Sequence, residues 1–213
     1  AGIEVVGGIE ITTMHIPARY QKEINQRLKE KKFPFSLEYY GAAARFEKEL
    51  FRRYNGRIRH WAIIGEIDLL KHRNSYEYEH YIQRIKNCYQ TMKQVAPKNT
   101  LSGIGCSGTD GNQLPRYPVL RDLWFRCGLS ESLDGLGIDQ YTNPHTYGPG
   151  YQPVNSETGK IREIMLEALQ IARKAGKDKY ISIDEKGFKI VQSLPLDSPY
   201  AVSMAENIAR YYI

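Results

Sequence analysis

No apolar run in this 213-residue chain approaches the roughly 20 residues that a membrane-crossing helix requires, so no membrane span is expected. Cysteine is scarce. Cys88, Cys106 and Cys127 are widely spaced and odd in number, which fits neither a disulfide framework nor a CxxC metal site and leaves them as small apolar residues. The glycine-rich stretch GIGCSGTDG at 103–111 has neither the GxGxxG spacing nor a GK[ST] ending, and DGLGID at 134–139 is no better, so a nucleotide-phosphate loop is not expected. The opening AGIEVVGGIEITT lacks a basic start, a long apolar middle and a cleavage site. A mature exported chain would have lost such a signal, and a secreted or periplasmic setting is expected ahead of a cytoplasmic one. The net charge of +6 is spread over segments such as RYQKEINQRLKEKK, where Glu is interleaved with Lys and Arg. That pattern reads as solvated helix faces rather than a nucleic-acid surface, with an acidic ligand left open.

What is present is an alternation. With 41% hydrophobic and 25% charged residues the chain has the make-up of one globular domain with a sizeable core. Short apolar runs, GIEVVGGIEI, RIRHWAIIGE, TLSGIGC, LDGLGIDQY and KYISIDE, read as strands, and amphipathic segments separate them. Tyr20, Ile24 and Leu28 recur every fourth residue in a charged helix. A second helix opens at Ser36 and stops at Asn55 and Gly56. A third carries Tyr78, Tyr81, Ile82, Ile85, Cys88, Tyr89 and Met92 at three and four spacing and closes before Pro97. YPVLRDLWFRCG, the stretch Ile161 to Ala175, and a last segment opening at Ser198 and Pro199 are the remaining helices. Trp61 and Trp124 fall within apolar runs and read as core rather than sugar platforms.

Five strand and helix units in a row imply a parallel sheet with helices outside it, either doubly wound or closed into an eight-fold (β/α)8 TIM barrel. The strand ends favour the barrel, because reactive groups there gather at the C-terminal face. Glu66, Asp139 with Tyr141, and Glu185 all stand where a strand gives way to a loop. Two carboxyls about 5 to 5.5 Å apart are what retaining glycoside hydrolysis needs, one as acid and base and the other as nucleophile.

These residues carry a family resemblance. RYNGRIRHWAIIGEID is similar to the fourth-strand segment of clan A glycoside hydrolases, LDGLGIDQYTNPHTYG to their sixth, and YISIDEKGF to their seventh. Within the clan the chain looks nearest to the β-xylosidase and α-L-iduronidase groups. The resemblance implies Glu66 as acid/base, Glu185 as nucleophile, Tyr141 as hydrogen-bond partner of Glu185, and His145 and Tyr147 as contacts to sugar hydroxyls. It implies a carbohydrate substrate, no nucleic acid, and neither a metal nor an organic cofactor.

Two departures matter. Gly65 stands where the family places the Asn that holds the sugar 2-hydroxyl. Taken in the family's order, residues 1–213 form one catalytic barrel domain running from about strand three to helix seven, so a longer chain or a further polypeptide is expected to complete it. The alternative is a barrel derived from a glycosidase that binds glycans or protein partners without cleaving them.

Overall fold

The computed structural model describes residues 5–11, 16–64, 75–107, 120–142 and 165–188. Five parallel strands form one sheet: β1 (Val6–Glu10), β2 (His60–Ile64), β3 (Thr100–Ser107), β4 (Gly135–Thr142) and β5 (Tyr180–Phe188). Their spatial order is β1-β2-β3-β4-β5, the order of the sequence, with no reversal of the kind that marks a doubly wound sheet. Each strand therefore lies beside its predecessor after a helical crossover.

The helices are α1 (Ala18–Lys29), α2 (Leu37–Tyr54) and α3 (Ser75–Val95), followed by a short helix from residue 120 whose Asp122–Arg126 part widens into a π turn, and a helix over residues 165–173. Ser36 caps α2, its hydroxyl accepting the Tyr39 N–H at 3.2 Å. Beyond α2, Gly56 takes a positive φ of 80°, the left-handed conformation in which glycine carries no Cβ penalty. The π turn ends at Gly128, again at positive φ. The stripe expected on α1 holds only at its first turn: Tyr20 is buried, Ile24 is half-buried and Leu28 is exposed.

Strand periodicity sorts the side chains. Ile9, Ile11, Trp61, Ile63, Leu101, Leu136 and Ile138 join Phe51, Ile85, Met92, Leu123, Trp124, Ala168 and Ile171 in the main core between sheet and helices. Trp61 and Trp124 are both core residues, 3% and 0% exposed. Cys88 is buried, Cys127 is half-buried, and both are free thiols. Near the N-terminal ends of the strands, the Thr100 hydroxyl is joined to His60 Nδ1 at 2.7 Å and receives the Tyr180 hydroxyl at 3.1 Å. Tyr180 reaches Thr100 across β4 because Gly135, its register partner, has no side chain: a Cβ there would overlap the ring.

The same N-terminal edge is fastened by Asp134. Its carboxylate accepts the Leu101 N–H at 2.9 Å and pairs with Lys93 at 3.0 Å, while its own N–H donates to the Leu101 carbonyl at 2.8 Å. The edge opposite the strand-end acids is thus a structural one. No helix among the described residues is long and apolar enough to cross a membrane.

Candidate functional site

At the C-terminal ends of the strands the ladder loses its strict alternation twice. Between β3 and β4 the register runs Gly103 to Leu136 and then Cys106 to Ile138, so β3 carries an extra residue, and Ile104 within that bulge takes a φ of 95°. A β-branched residue at positive φ is strained backbone. Between β4 and β5, Ile138 pairs with Ile183 but Asp139 pairs with Glu185, so Asp184 is the surplus residue. Bulges of this kind are enriched beside active sites, where they re-aim the chain.

The consequence is a row. Ser107, Asp139 and Glu185 stand side by side on β3, β4 and β5, and Tyr141 falls two residues further along opposite Gly187. Without the bulge, Asp184 would occupy the position that Glu185 holds. Of the residues that the sequence singles out, the structure therefore brings Asp139, Tyr141 and Glu185 onto adjoining strand ends as backbone positions. Glu66, Gly65, His145 and Tyr147 lie outside the described residues. Ile64, the last residue of β2, is in register with Glu10 of β1.

The first turns of α2 and α3 sit at this same end, since each helix runs back against the strands it connects. Between them lies a second, smaller core of Ile16, Tyr20 and Phe35 with Ile24, Phe33, Tyr39, Tyr40 and Ala42. His80 is fully buried there. Its ring stacks on Phe35 with centroids 3.5 Å apart, and its Nδ1 meets the Tyr40 hydroxyl at 3.1 Å. Burial, and after it the Arg84 charge, pulls the His80 pKa down to about 3, so the ring is neutral. Burial also pushes the Tyr40 phenol up to about 12.

One turn deeper, Arg84 donates to Glu47 in an ion pair whose side chains are 6% and 1% exposed. Desolvation raises the Glu47 pKa against the lowering pull of Arg84, and raises Cys88 beside them. Nothing in the residue pattern marks this pair. The apolar stripes of α2 and α3 are legible, whereas a Glu and an Arg 37 residues apart are matched only by helix packing. Among the described residues, no group of three or more His, Cys, Asp or Glu side chains could hold a metal ion.

No protein-family model matches the chain, and no curated protein matches its sequence. Its structure is similar to glycoside hydrolases. A family 39 glycoside hydrolase from the gut symbiont Bacteroides cellulosilyticus WH2 superposes with a TM-score of 0.52 at 18% identity, over 98% of this chain and 47% of that one. A glucosidase from Croceicoccus marinus gives 0.50 at 15% identity, over 73% of this chain and 32% of that one. A family 51 α-L-arabinofuranosidase from Bifidobacterium longum gives 0.42 at 21% identity, over 65% of this chain and 29% of that one. The chain spans less than half the length of each of these structures. What is shared is the fold, a parallel α/β arrangement.

Proposed function

We propose that this chain is the catalytic part of a retaining glycoside hydrolase, built on a (β/α)8 barrel. The observation that carries the reading is the register of β5, in which one surplus residue places Glu185 beside Asp139 at the C-terminal strand ends. The unreversed strand order and the likeness to a family 39 glycoside hydrolase over nearly the whole chain support the same frame. Among the described residues β1 and β5 each have one unpaired edge, and Val5 and Val6 are more than half exposed. Further strands, from outside the described residues or from another polypeptide, would cover those edges and close the barrel.

In this reading Glu66 protonates the leaving oxygen while Glu185 attacks the anomeric carbon, and a glycosyl ester forms on Glu185. Glu66 then takes a proton from water as that water displaces the sugar, restoring both carboxyls. Mutual repulsion of two carboxyls in a partly dehydrated cleft keeps one proton on the pair, which supplies the acid for the first step. Tyr141 orients Glu185, and His145 and Tyr147 meet sugar hydroxyls. The decisive assay is hydrolysis of a panel of activated aryl glycosides by the Glu185→Gln variant. Unchanged turnover of every member would remove the nucleophile assignment, whereas no turnover of any member by the wild-type protein would leave a glycan-binding barrel as the better reading.

A further inference from the structure

We infer that the rim around the N-terminal strand starts is a second carbohydrate-holding surface, one for a carboxylate- or sulfate-bearing polysaccharide; this rests on the glycosidase reading and specifies its substrate class. The surface is made of the four connections that carry a helix back to a strand: 52–59 into β2, 93–99 into β3, 127–134 into β4 and 173–179 into β5. All four lie among the described residues, side chains included. They are laced together where the strands begin: the Thr100 N–H donates to the Arg59 carbonyl at 2.9 Å, and the Tyr180 N–H to the Asp134 carbonyl at 3.4 Å. Adjacent strands lie about 4.8 Å apart, so β2 and β5 begin within about 15 Å of each other.

The positive charge of the molecule is gathered here. These connections hold ten basic and three acidic side chains, an excess of seven in a chain whose whole net charge is +6, so all other residues together sum to −1. Two of the ten are engaged in the strand starts: Lys93 pairs with Asp134 at 3.0 Å, and Lys179 donates to the Leu133 carbonyl at 2.5 Å. The other eight are exposed, and none forms an ion pair among the described residues. Against them stand two exposed acids, Glu131 and Asp178. Four of the eight, Arg52, Arg53, Arg173 and Lys174, stand at helix C-termini, where a cation meets the negative end of the dipole. Arg57, Arg59, Lys98 and Lys177 lie in the turns beyond, and that effect fades outside the last helical turn. Nothing in the fold accounts for these four, and their mutual repulsion works against the compact state.

The chemistry of the surface selects among polyanions. Guanidinium forks pair two at a time with the oxygens of an acidic group, and the lysines add point charges between them. The one aromatic residue of the four connections, Tyr54, is half-buried, so nucleic-acid bases find no stacking platform. The larger apolar side chains are no more accessible, Ile58 and Val95 being half-buried, so a bilayer finds no apolar anchor. A polysaccharide whose sugars carry acidic groups needs neither. The eight residues of β3 separate this rim from the row at the opposite strand ends by about 26 Å, roughly three Debye lengths at physiological salt. The surface therefore holds a polymer at a distance from Glu185 and leaves the charge of that carboxyl unaltered.

The test measures binding without turnover, in a Glu185→Gln background, by interferometry on immobilised polygalacturonate, dextran sulfate and neutral xylan. Salt-dependent binding is expected to at least one of the two acidic polymers, and the tighter of them names the acidic group. The quadruple variant Arg57→Ser, Arg59→Ser, Lys98→Ser, Lys177→Ser is expected to weaken that binding by about tenfold, with xylan unaffected and the urea midpoint unchanged or raised. A control with Lys22, Lys29, Lys31 and Arg45 each changed to Ser removes the same charge from elsewhere on the surface and is expected to lose less than about threefold. Should the quadruple variant not fold, Arg57→Glu and Lys177→Glu made singly in their exposed turns are expected to show a smaller loss in the same direction. No salt-dependent binding to either acidic polymer, an equal loss in the control, or tighter binding to duplex DNA or to phosphatidylglycerol vesicles would overturn the assignment. Because the readout is affinity, failure of Glu185 as nucleophile leaves this result standing, and loss of binding leaves aryl glycoside turnover untouched.

Discussion

Tyr180 at the start of β5 gives its hydroxyl hydrogen to Thr100 at the start of β3, 3.1 Å away, with β4 lying between them. The contact exists because Gly135 leaves room for the ring. Gly135→Ala must displace the ring and is expected to cost about 1–3 kcal/mol in chemical denaturation. Tyr180→Phe, which removes only the hydroxyl, should cost about 1 kcal/mol. In a Tyr180→Ala background the Gly135 substitution should become nearly neutral; an undiminished cost there would show that the ring is not what the glycine accommodates.

Glu47 and Arg84 join α2 to α3 through a pair that is almost wholly removed from water. Arg84 Nε and Nη1 and Glu47 Oε2 have no partner among the described residues, so the pair carries much of its dehydration uncompensated. Arg84→Met strands a buried carboxylate and is expected to destabilise the fold by about 3–5 kcal/mol, whereas Arg84→Met with Glu47→Leu should recover most of that loss. Thermal and denaturant unfolding of the two variants measures the difference. Equal destabilisation by both would mean that packing, not charge, sets the cost.

The strands and most helices were legible because their periods are local. All five apolar runs became strands, the Ser36 cap and the Gly56 and Gly128 stops fell where the sequence put them, and Trp61 and Trp124 are core. The bulge at Asp184 was not legible, since KYISIDEKGF alternates plausibly in either register and only the partner strand decides which acid stands beside Asp139. Nor was His80, which interrupts no stripe and is buried only because Phe35 and Tyr40 arrive from a distant segment. Glu66, His145 and Tyr147 rest on motif alone and lie outside the described residues.

Asp184 and Glu185 are adjacent acids, and the register separates them. Glu185→Gln is expected to lower kcat on an activated aryl glycoside by about a thousandfold or more, whereas Asp184→Asn should retain most of the activity. Azide rescue of Glu185→Ala, with formation of the glycosyl azide, would identify the nucleophile directly. If Asp184→Asn proves the silent enzyme and Glu185→Gln the active one, the bulge does not set the site.

His80 gives the fold a dependence on pH whose sign is fixed by its burial. Its pKa falls from 6.5 to about 3 in the folded chain, so the unfolded chain binds the extra proton between those values. Stability from this group is complete above about pH 6.5 and is lost as the pH falls toward 3, at about 1.4 kcal/mol per pH unit, reaching about 2 kcal/mol at pH 5. Glu47, whose pKa burial raises, works in the opposite direction, and Arg84, Tyr39 and Tyr40 around the ring do not titrate in this window. Since all four are common to wild type and His80→Gln, the difference between the two proteins isolates the histidine. The variant should be less stable at pH 7, through loss of the Phe35 stack, but its stability should decline less between pH 7 and pH 5 in urea titrations. Parallel curves for the two proteins would mean that His80 takes up its proton without leaving the core.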